Sequence, residues 1–174
     1  ELANLVQRSQ AISEQTGGAF DITVGPLVNL WGLGPEGGIV STPSGDKIAS
    51  LRTRVGYQKL RVSQNPPSLS KPTNLQVDLS AIAKGYAVDQ LASLLVANGI
   101  NNYLVEIGGE LKLSGSKPNG ESWRIAIEAP LTTERAAQNV LPISNIAMAT
   151  SGDYRNYFEE NGVRYSHTIN PLTG

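Results

Sequence analysis

The sequence has no cysteine and only one histidine, His167. Without thiols, the chain cannot form disulfides, thiolate zinc sites, iron–sulfur clusters or a cysteine nucleophile. With one imidazole, it cannot supply two histidine ligands to a metal. The chemistry that remains open to it uses oxygen ligands, hydroxyls, backbone groups, carboxylates and a single imidazole.

An excess of positive charge is also missing. Fourteen Lys and Arg oppose fifteen Asp and Glu, which gives a formal net charge of −1. No nucleic-acid partner is expected, because binding to phosphate backbones depends on a positive surface. The sequence contains no apolar run long enough to cross a bilayer and no targeting segment at its start.

The composition that is present is typical of a folded domain. Hydrophobic residues make up 40% and charged residues 17% of the 174 positions, so the chain can bury a core within one domain. The first residues, from Glu1 onward, already follow a helical pattern. We therefore expect residues 1–174 to be the central part of a single unit within a longer protein, with further segments before and after it.

Four segments have the residue spacing of helices. They are residues 2–12, a short helix that begins at Gly25-Pro26, residues 44–55 and the segment after Ser80. In the fourth helix the spacing predicts one buried apolar stripe, formed by Ile82, Tyr86, Leu91, Leu94 and Leu95. Residues 32–38 have the composition of a loop.

Strand patterns are more numerous than helix patterns. They cover residues 57–63, 74–79, 103–107, 110–114, 123–128, 145–150, 154–160 and 163–169. Asn161-Gly162 is the strongest hairpin signal, and Gly108-Gly109 is a second. Because strands and helices do not alternate regularly, the sequence predicts an α+β fold, with mostly antiparallel sheets and inserted helices.

Residues 78–85 lie where a predicted strand ends and a helix begins. Free amides at a helix start attract phosphate, and Lys84 lies one turn further on, where its ammonium could neutralise a phosphate oxygen. The simpler interpretation is a structural cap, formed by Asp78 and Ser80, with Lys84 in solvent. Gly85 favours the ligand, because a glycine inside a helix costs about 1 kcal/mol and usually has a reason, such as close approach of a ligand or a backbone.

Other segments carry two interpretations each. Phe20 and Asp21 are by themselves typical of a core residue and a turn residue, and residues 150–153 fit a polar ligand loop or a simple turn. A lone histidine such as His167 is usually structural, whereas its functional role would be that of a general acid or base.

Five segments, taken in order, resemble the ApbE family of FAD:protein FMN transferases, formerly labelled thiamine-biosynthesis lipoproteins. They are residues 18–23 (GAFDIT), 77–89 (VDLSAIAKGYAVD), 105–110 (VEIGGE), 150–155 (TSGDYR) and 166–174 (SHTINPLTG). The resemblance implies two lobes around a flavin groove. It also implies magnesium-dependent transfer of FMN from FAD to a Ser or Thr hydroxyl of an acceptor flavoprotein, with release of AMP.

The resemblance assigns roles to eight residues of this chain. The residues expected to contact FAD are Ala19, Phe20, Asp21, Asp78, Lys84 and Ile169. The backbone carbonyl of Ala81 is expected to bind magnesium, and His167 is expected to act as the general base. In the family, the other metal ligands follow the terminal motif, so we expect residues 1–174 by themselves to bind magnesium feebly. Asn170 stands where the family more often has Asp.

Two other functions remain open at this stage: hydrolysis of FAD to FMN and AMP, and a non-catalytic role as an FAD carrier. The resemblance also implies a periplasmic location, with a lipid anchor to the inner membrane in a segment before Glu1. The expected partner is a subunit of a membrane redox complex with a Ser/Thr-Gly-Ala-Ser/Thr-type site.

Overall fold

The computed structural model describes residues 1–36, 41–130, 136–154 and 156–174. The chain divides into two compact units, and we call Glu1–Ala81 with Asn156–Gly174 the first unit and Ile82–Arg155 the second unit. Helices and antiparallel hairpins occur in both, which confirms the predicted α+β class. Among the described residues, every helix is too short or too polar to span a lipid bilayer.

The described residues of the first unit form three α-helices and two hairpins. The helices are α1 (Leu2–Gln15), α2 (Gly25–Leu30) and α3 (Gly45–Arg52), followed by a 3-10 turn at Tyr57–Lys59. The hairpins are β1 (Arg61–Gln64) with β2 (Pro67–Ser70), and β8 (Tyr157–Glu160) with β9 (Val163–Ser166). Its core forms where α1 meets β1, around Val6, Ile22, Leu60 and Leu75.

In the second unit, the described residues form one helix and two small sheets. The helix is α4 (Ala83–Ala97), and the three-stranded sheet has the order β3 (Tyr103–Ile107), β4 (Glu110–Ser114), β7 (Ile146–Met148). The other sheet pairs β5 (Trp123–Glu128) with β6 (Ala137–Ile143). One face of β3 and β4 contacts α4, and Leu111 and Leu113 of β4 form a second core with Ile125 of β5.

Both glycine-containing turns have the predicted hairpin geometry. Gly108 and Gly109 have φ values of 54° and 92° between the paired residues Ile107 and Glu110. Asn161 and Gly162 have φ values of 52° and 76° and join β8 to β9. Two positive φ angles are the requirement of the tight turn that matches strand twist, and glycine and asparagine adopt them most readily.

Two strand predictions near β1 are wrong. Residues 57–59 form the 3-10 turn and Leu60 is its C-terminal capping residue, so the strand begins only at Arg61. Residues 74–79 do not form a strand, and the true partner of β1 is β2, which follows directly after Asn65-Pro66. The short, polar β2 lacks the apolar alternation that would have predicted a strand.

Helix α4 buries a different face from the one predicted. Its buried residues are Val88 and Ala92, whereas Leu91 is 44% and Leu94 is 58% exposed. Because the helix is apolar on most sides, the spacing of its apolar residues does not identify the side that faces the sheet.

The remaining differences concern the ends of helices and strands and one strand that was not predicted. Helix α3 ends at Arg52, and strands β7, β8 and β9 are shorter than the sequence predicted. The pattern missed β6 altogether, because only one of its seven residues is even partly buried. Gly37 and Gly38 of the predicted loop, and Arg155 of the fourth matching segment, lie outside the described residues.

Candidate functional site

Asp21 is a buried carboxylate at the centre of a hydrogen-bond network. Its Oδ1 accepts hydrogen bonds from the backbone N–H of Thr23 at 2.8 Å and from the Thr23 hydroxyl at 2.7 Å. Its Oδ2 accepts the backbone N–H of Tyr57 at 2.9 Å, and the Thr23 hydroxyl oxygen accepts the N–H of Gly56 at 2.7 Å. Asp21 therefore fixes residues 21–23 against the 3-10 turn, and both of its oxygens are engaged within the first unit.

Asp78 lies beside this segment. Its backbone N–H donates to the carbonyl of Ile22 at 2.7 Å, so two of the segments that resemble the family run side by side. Its Oδ1 accepts the N–H of Ser80 at 2.8 Å, which shapes the turn that leads to Ala81. A Cβ placed on Gly25 would lie 3.5 Å from the Asp78 Cβ, so the first residue of α2 packs closely on the same side chain.

The terminal segment, residues 166–174, folds back on the first segment. Leu172 packs against Gly18, where a Cβ would lie 3.2 Å from the leucine Cδ2. Asn170 organises the turn, because its Oδ1 accepts the N–H of Leu172 at 2.8 Å and its carbonyl accepts the N–H of Gly174 at 2.7 Å. An amide oxygen serves as well as a carboxylate oxygen in this contact, so Asn can replace Asp here without loss of the turn.

His167 continues the β8–β9 ladder by one residue and is half-buried. Its backbone N–H donates to the carbonyl of Asn156 at 3.0 Å, and its ring Nδ1 lies 3.2 Å from the same oxygen. A carbonyl oxygen only accepts, so a hydrogen bond at this contact is donated by the Nδ1–H group of the imidazole. These contacts join His167 to the other strand of its own hairpin, and both its catalytic and its structural role stay predictions.

Lys84 lies in the second unit, on the first turn of α4. Its Nζ donates to the carbonyl of Gly108 at 3.0 Å and lies 3.1 Å from Oε1 of Glu110. The interpretation of Lys84 as a purely solvated side chain is therefore wrong: the ammonium is held against the turn between β3 and β4. Gly108 permits this approach, since a Cβ there would lie 3.1 Å from the lysine Cδ.

The described structure does not show a neighbouring protein group that would require a glycine at position 85. A Cβ placed on Gly85 meets no described atom within 4 Å. Close approach of a neighbouring backbone is therefore not the reason for this glycine. Close approach of a ligand remains a prediction.

The described structure brings most of the predicted site residues into one unit. Ala19, Phe20, Asp21, Asp78, Ala81, His167 and Ile169 belong to the first unit, and Lys84 belongs to the second. Ala19 and Ala81 are exposed, whereas Phe20 and Ile169 are half-buried. Among the described residues no group of three or more His, Asp or Glu side chains is placed to hold a metal. The roles of all eight residues stay predictions.

Sequence reasoning missed the groups that hold these residues in place. Thr23 and Tyr57 fix Asp21, and Glu110 pairs with Lys84. The Asp-x-Thr spacing of residues 21–23 is a local turn signal that could have identified Thr23. Tyr57 acts through its backbone, so its side chain gives no signal.

The whole of residues 1–174 matches the sequence profile of the ApbE family. The chain belongs to the ApbE family. Among curated relatives it is 48% identical over 170 residues to the FAD:protein FMN transferase of Vibrio cholerae, covering 98% of this chain and 51% of the relative. It is 46% identical over 176 residues to the Escherichia coli K12 protein of the same name, covering 99% and 50%.

Solved ApbE structures agree with the fold. The apo flavinyl transferase ApbE of Pseudomonas stutzeri has a TM-score of 0.85 and 44% identity, over 99% of this chain and 52% of that one. The flavin transferase ApbE of Vibrio cholerae has a TM-score of 0.84 and 46% identity, over 98% and 53%. The chain thus spans about half the length of the relatives it matches.

Proposed function

We propose that this ApbE-family protein transfers FMN from FAD to a Ser or Thr hydroxyl of an acceptor flavoprotein and releases AMP. The observation that carries the proposal is the match of the whole chain, at 48% identity, to a relative named FAD:protein FMN transferase. The geometry of the first unit supports it, because three of the five matching segments meet there around Ile22, Gly18 and Leu172.

The reaction needs a base. The acceptor oxygen attacks the phosphorus on the FMN side of the pyrophosphate, a new P–O bond forms, and the bond to the AMP phosphate breaks. The hydroxyl proton would pass to Nε2 of His167, while Nδ1 faces the Asn156 carbonyl at 3.2 Å. Without that transfer an alcohol is a poor nucleophile.

Charge on the pyrophosphate must be offset as AMP leaves. Lys84 is the cation of this chain assigned to that task, and its side chain is 45% exposed despite its contact with Glu110. Phosphoryl transfer depends mainly on positioning and on neutralising oxygen charge. An anionic ligand would thus compete with Glu110 for the same ammonium group.

The backbone carbonyl assigned to magnesium is of a chemical type that the ion binds. Ala81 is exposed and follows directly on the turn that Asp78 shapes, and its carbonyl is a hard oxygen ligand of the type that Mg²⁺ accepts beside water and substrate phosphates. Bound there, the ion would supply Lewis-acid stabilisation of phosphate charge. Residues 1–174 alone would bind it feebly, since the described residues offer no further cluster of acidic ligands.

The remaining assigned residues would bind and orient FAD. Ala19 and Phe20 are held beside Asp21, whose network fixes the backbone of residues 21–23, while Ile169 lies between His167 and the Asn170 turn. Ala19, Phe20, Asp21, Asp78 and Ile169 are therefore proposed as a preformed surface for the flavin nucleotide.

We extend the proposal to the partner and the location. The acceptor would be a subunit of a membrane redox complex with a Ser/Thr-Gly-Ala-Ser/Thr-type site. The protein would work in the periplasm, anchored by lipid to the inner membrane. The absence of cysteine from the chain is compatible with an oxidising compartment.

The direct test is to incubate the full-length protein with FAD, magnesium and a purified acceptor domain, then separate the proteins under denaturing conditions. A covalently fluorescent acceptor band is expected. No band with several acceptors of the stated type would overturn the transferase. Free FMN without acceptor, at a rate comparable to transfer, would identify a hydrolase, and tight FAD binding without turnover would identify a carrier.

A further inference from the structure

Trp31, directly after α2, joins both ends of the segment that carries His167. Its indole N–H donates to the carbonyl of Gly174 at 2.8 Å, across 143 positions of the sequence. Its ring lies 5.2 Å from the ring of Tyr165, two residues before His167. The same tryptophan therefore contacts the chain before and after the predicted base.

The ring contacts extend into a three-ring cluster within the first unit. Tyr165 stacks on its cross-strand partner Phe158, with centroids 5.1 Å apart and planes 19° apart, and Phe158 lies 6.2 Å from Trp31. Aromatic pairs at these distances stabilise beyond the area they bury. The cluster fixes the β8–β9 hairpin on the side from which the chain continues to His167.

The other end of the segment is held just as closely. Gly174 has φ of +82°, and a Cβ there would collide with Ile48 of α3, so Gly174 packs closely against α3 while its carbonyl oxygen accepts the Trp31 indole N–H. Between the two anchoring points, Asn170 accepts hydrogen bonds from the N–H groups of Leu172 and Gly174. A half-buried indole needs a hydrogen-bond partner, and here that partner is a backbone carbonyl at the end of the segment.

We propose that Trp31 is a positioning residue, which holds residues 166–174 so that the His167 imidazole keeps a single orientation. This inference rests on the proposed function. Trp31 itself acts through the segment and not on the reacting atoms. Catalysis tolerates little misplacement of a base, because an error of about 1 Å can cost about a hundredfold in rate.

The chain offers a matched control. Trp123 in the second unit is also half-buried, and its indole N–H donates to the carbonyl of Ser114 at 3.0 Å. Replacement of either tryptophan by phenylalanine removes one indole hydrogen bond of the same kind and keeps an aromatic ring. Trp31 contacts the His167 segment, whereas the described contacts of Trp123 lie within the second unit.

The test compares Trp31→Phe and Trp123→Phe in the full-length protein. We expect Trp31→Phe to lower kcat for FMN transfer at saturating FAD about tenfold, with KM for FAD changed less than threefold. Trp123→Phe should leave kcat within a factor of about two, although both variants lose a similar amount of thermal stability. Trp31→Leu, which also removes the ring contacts, should lower kcat further.

A second readout does not depend on activity. With ¹³C-labelled histidine, the His167 Cε1–H signal, assigned by its loss in His167→Asn, should be single and sharp in the unmodified protein and in Trp123→Phe. In Trp31→Phe it should shift or split. Equal kcat and equal histidine spectra in the two phenylalanine variants would overturn the proposal. A protein that gives no transfer at all would overturn the proposed function instead, while the spectra would still decide the role of Trp31.

Discussion

The two units use polar groups in opposite ways. In the described part of the first unit, four polar residues are buried, Ser9, Ser13, Asp21 and Thr23, and each has a hydrogen-bond partner. The described buried residues of the second unit are mainly aliphatic, and its ion pairs, such as Lys84–Glu110 and Lys112–Asp89, lie at the surface. A buried network fixes one arrangement, whereas an exposed pair exchanges partners at little cost.

This difference matches the roles proposed for each unit. The first unit holds the proposed base and most of the residues proposed to contact FAD, and these roles would require fixed positions. The second unit contributes Lys84, whose task is to meet a charged ligand. A rigid polar frame suits the first task, and a solvent-exposed ammonium suits the second.

The largest expected effect is that of His167→Asn on the rate of FMN transfer. This substitution keeps a side-chain donor near the Asn156 carbonyl but removes Nε2. We expect transfer to slow by about two to four orders of magnitude, the usual range for a general base. FAD affinity and the melting temperature should change little, as measured by titration and thermal unfolding. A near-normal rate, or joint loss of FAD binding and stability, would make His167 purely structural.

The next largest effect concerns the buried carboxylate of the first unit. Asp21→Ala leaves three donors, from Thr23 and Tyr57, without their acceptor, and should lower the free energy of unfolding by about 3 kcal/mol. Asp89→Ala in the second unit removes a half-exposed partner of Lys112 and should cost about 0.5 kcal/mol. Denaturant unfolding without FAD measures both, and equal losses would refute the contrast between the units.

Lys84 tests whether the second unit meets the pyrophosphate. Lys84→Gln should weaken FAD binding about tenfold, because one charge-assisted contact is lost. Lys112→Gln is the matched control: its ammonium also pairs with an acid between α4 and β4, and its loss should leave the FAD dissociation constant unchanged. Equal effects of the two variants would mean that only overall charge matters.

The smallest effect is a dependence of stability on alkaline pH. The hydrogen bond from Lys112 to Asp89 raises the pKa of Lys112 above its ordinary value of 10.5. Its stabilising contribution is therefore fully present below about pH 10.5 and is lost as the pH rises through the higher pKa of the folded protein. Both side chains are more than one-third exposed, so the loss of stability should be about 0.5 kcal/mol. It is measured as the change in the free energy of unfolding between a pH below 10.5 and a pH above the raised pKa of Lys112, in the unmodified protein and in Asp89→Asn.

Local chemistry explains which parts of the fold the sequence predicted. The bounds of β3, β4 and β5 were predicted correctly, and the Gly108-Gly109 and Asn161-Gly162 turns behave as expected. These features depend on residues that are neighbours in the chain. The partner of β1 and the buried face of α4 depend on tertiary packing, which neither alternation nor helical spacing encodes in these segments.

The same distinction between local and tertiary features applies to the candidate site. The segments that carry Asp78 and His167 could be located by their motifs, but their supporting contacts could not. Asp21 is held by Tyr57, 36 residues away, and Trp31 reaches Gly174 across 143 positions. Both partners contribute backbone groups, which every residue type possesses, so no residue pattern indicates them.

The measurement that tests the proposed function most directly is the balance of products. The full-length protein, FAD, magnesium and an acceptor domain are incubated, and AMP, free FMN and acceptor mass are quantified together. The account predicts one AMP released for each acceptor molecule that gains an FMN group on a Ser or Thr, with little free FMN. AMP matched by free FMN, with the acceptor mass unchanged, would contradict it.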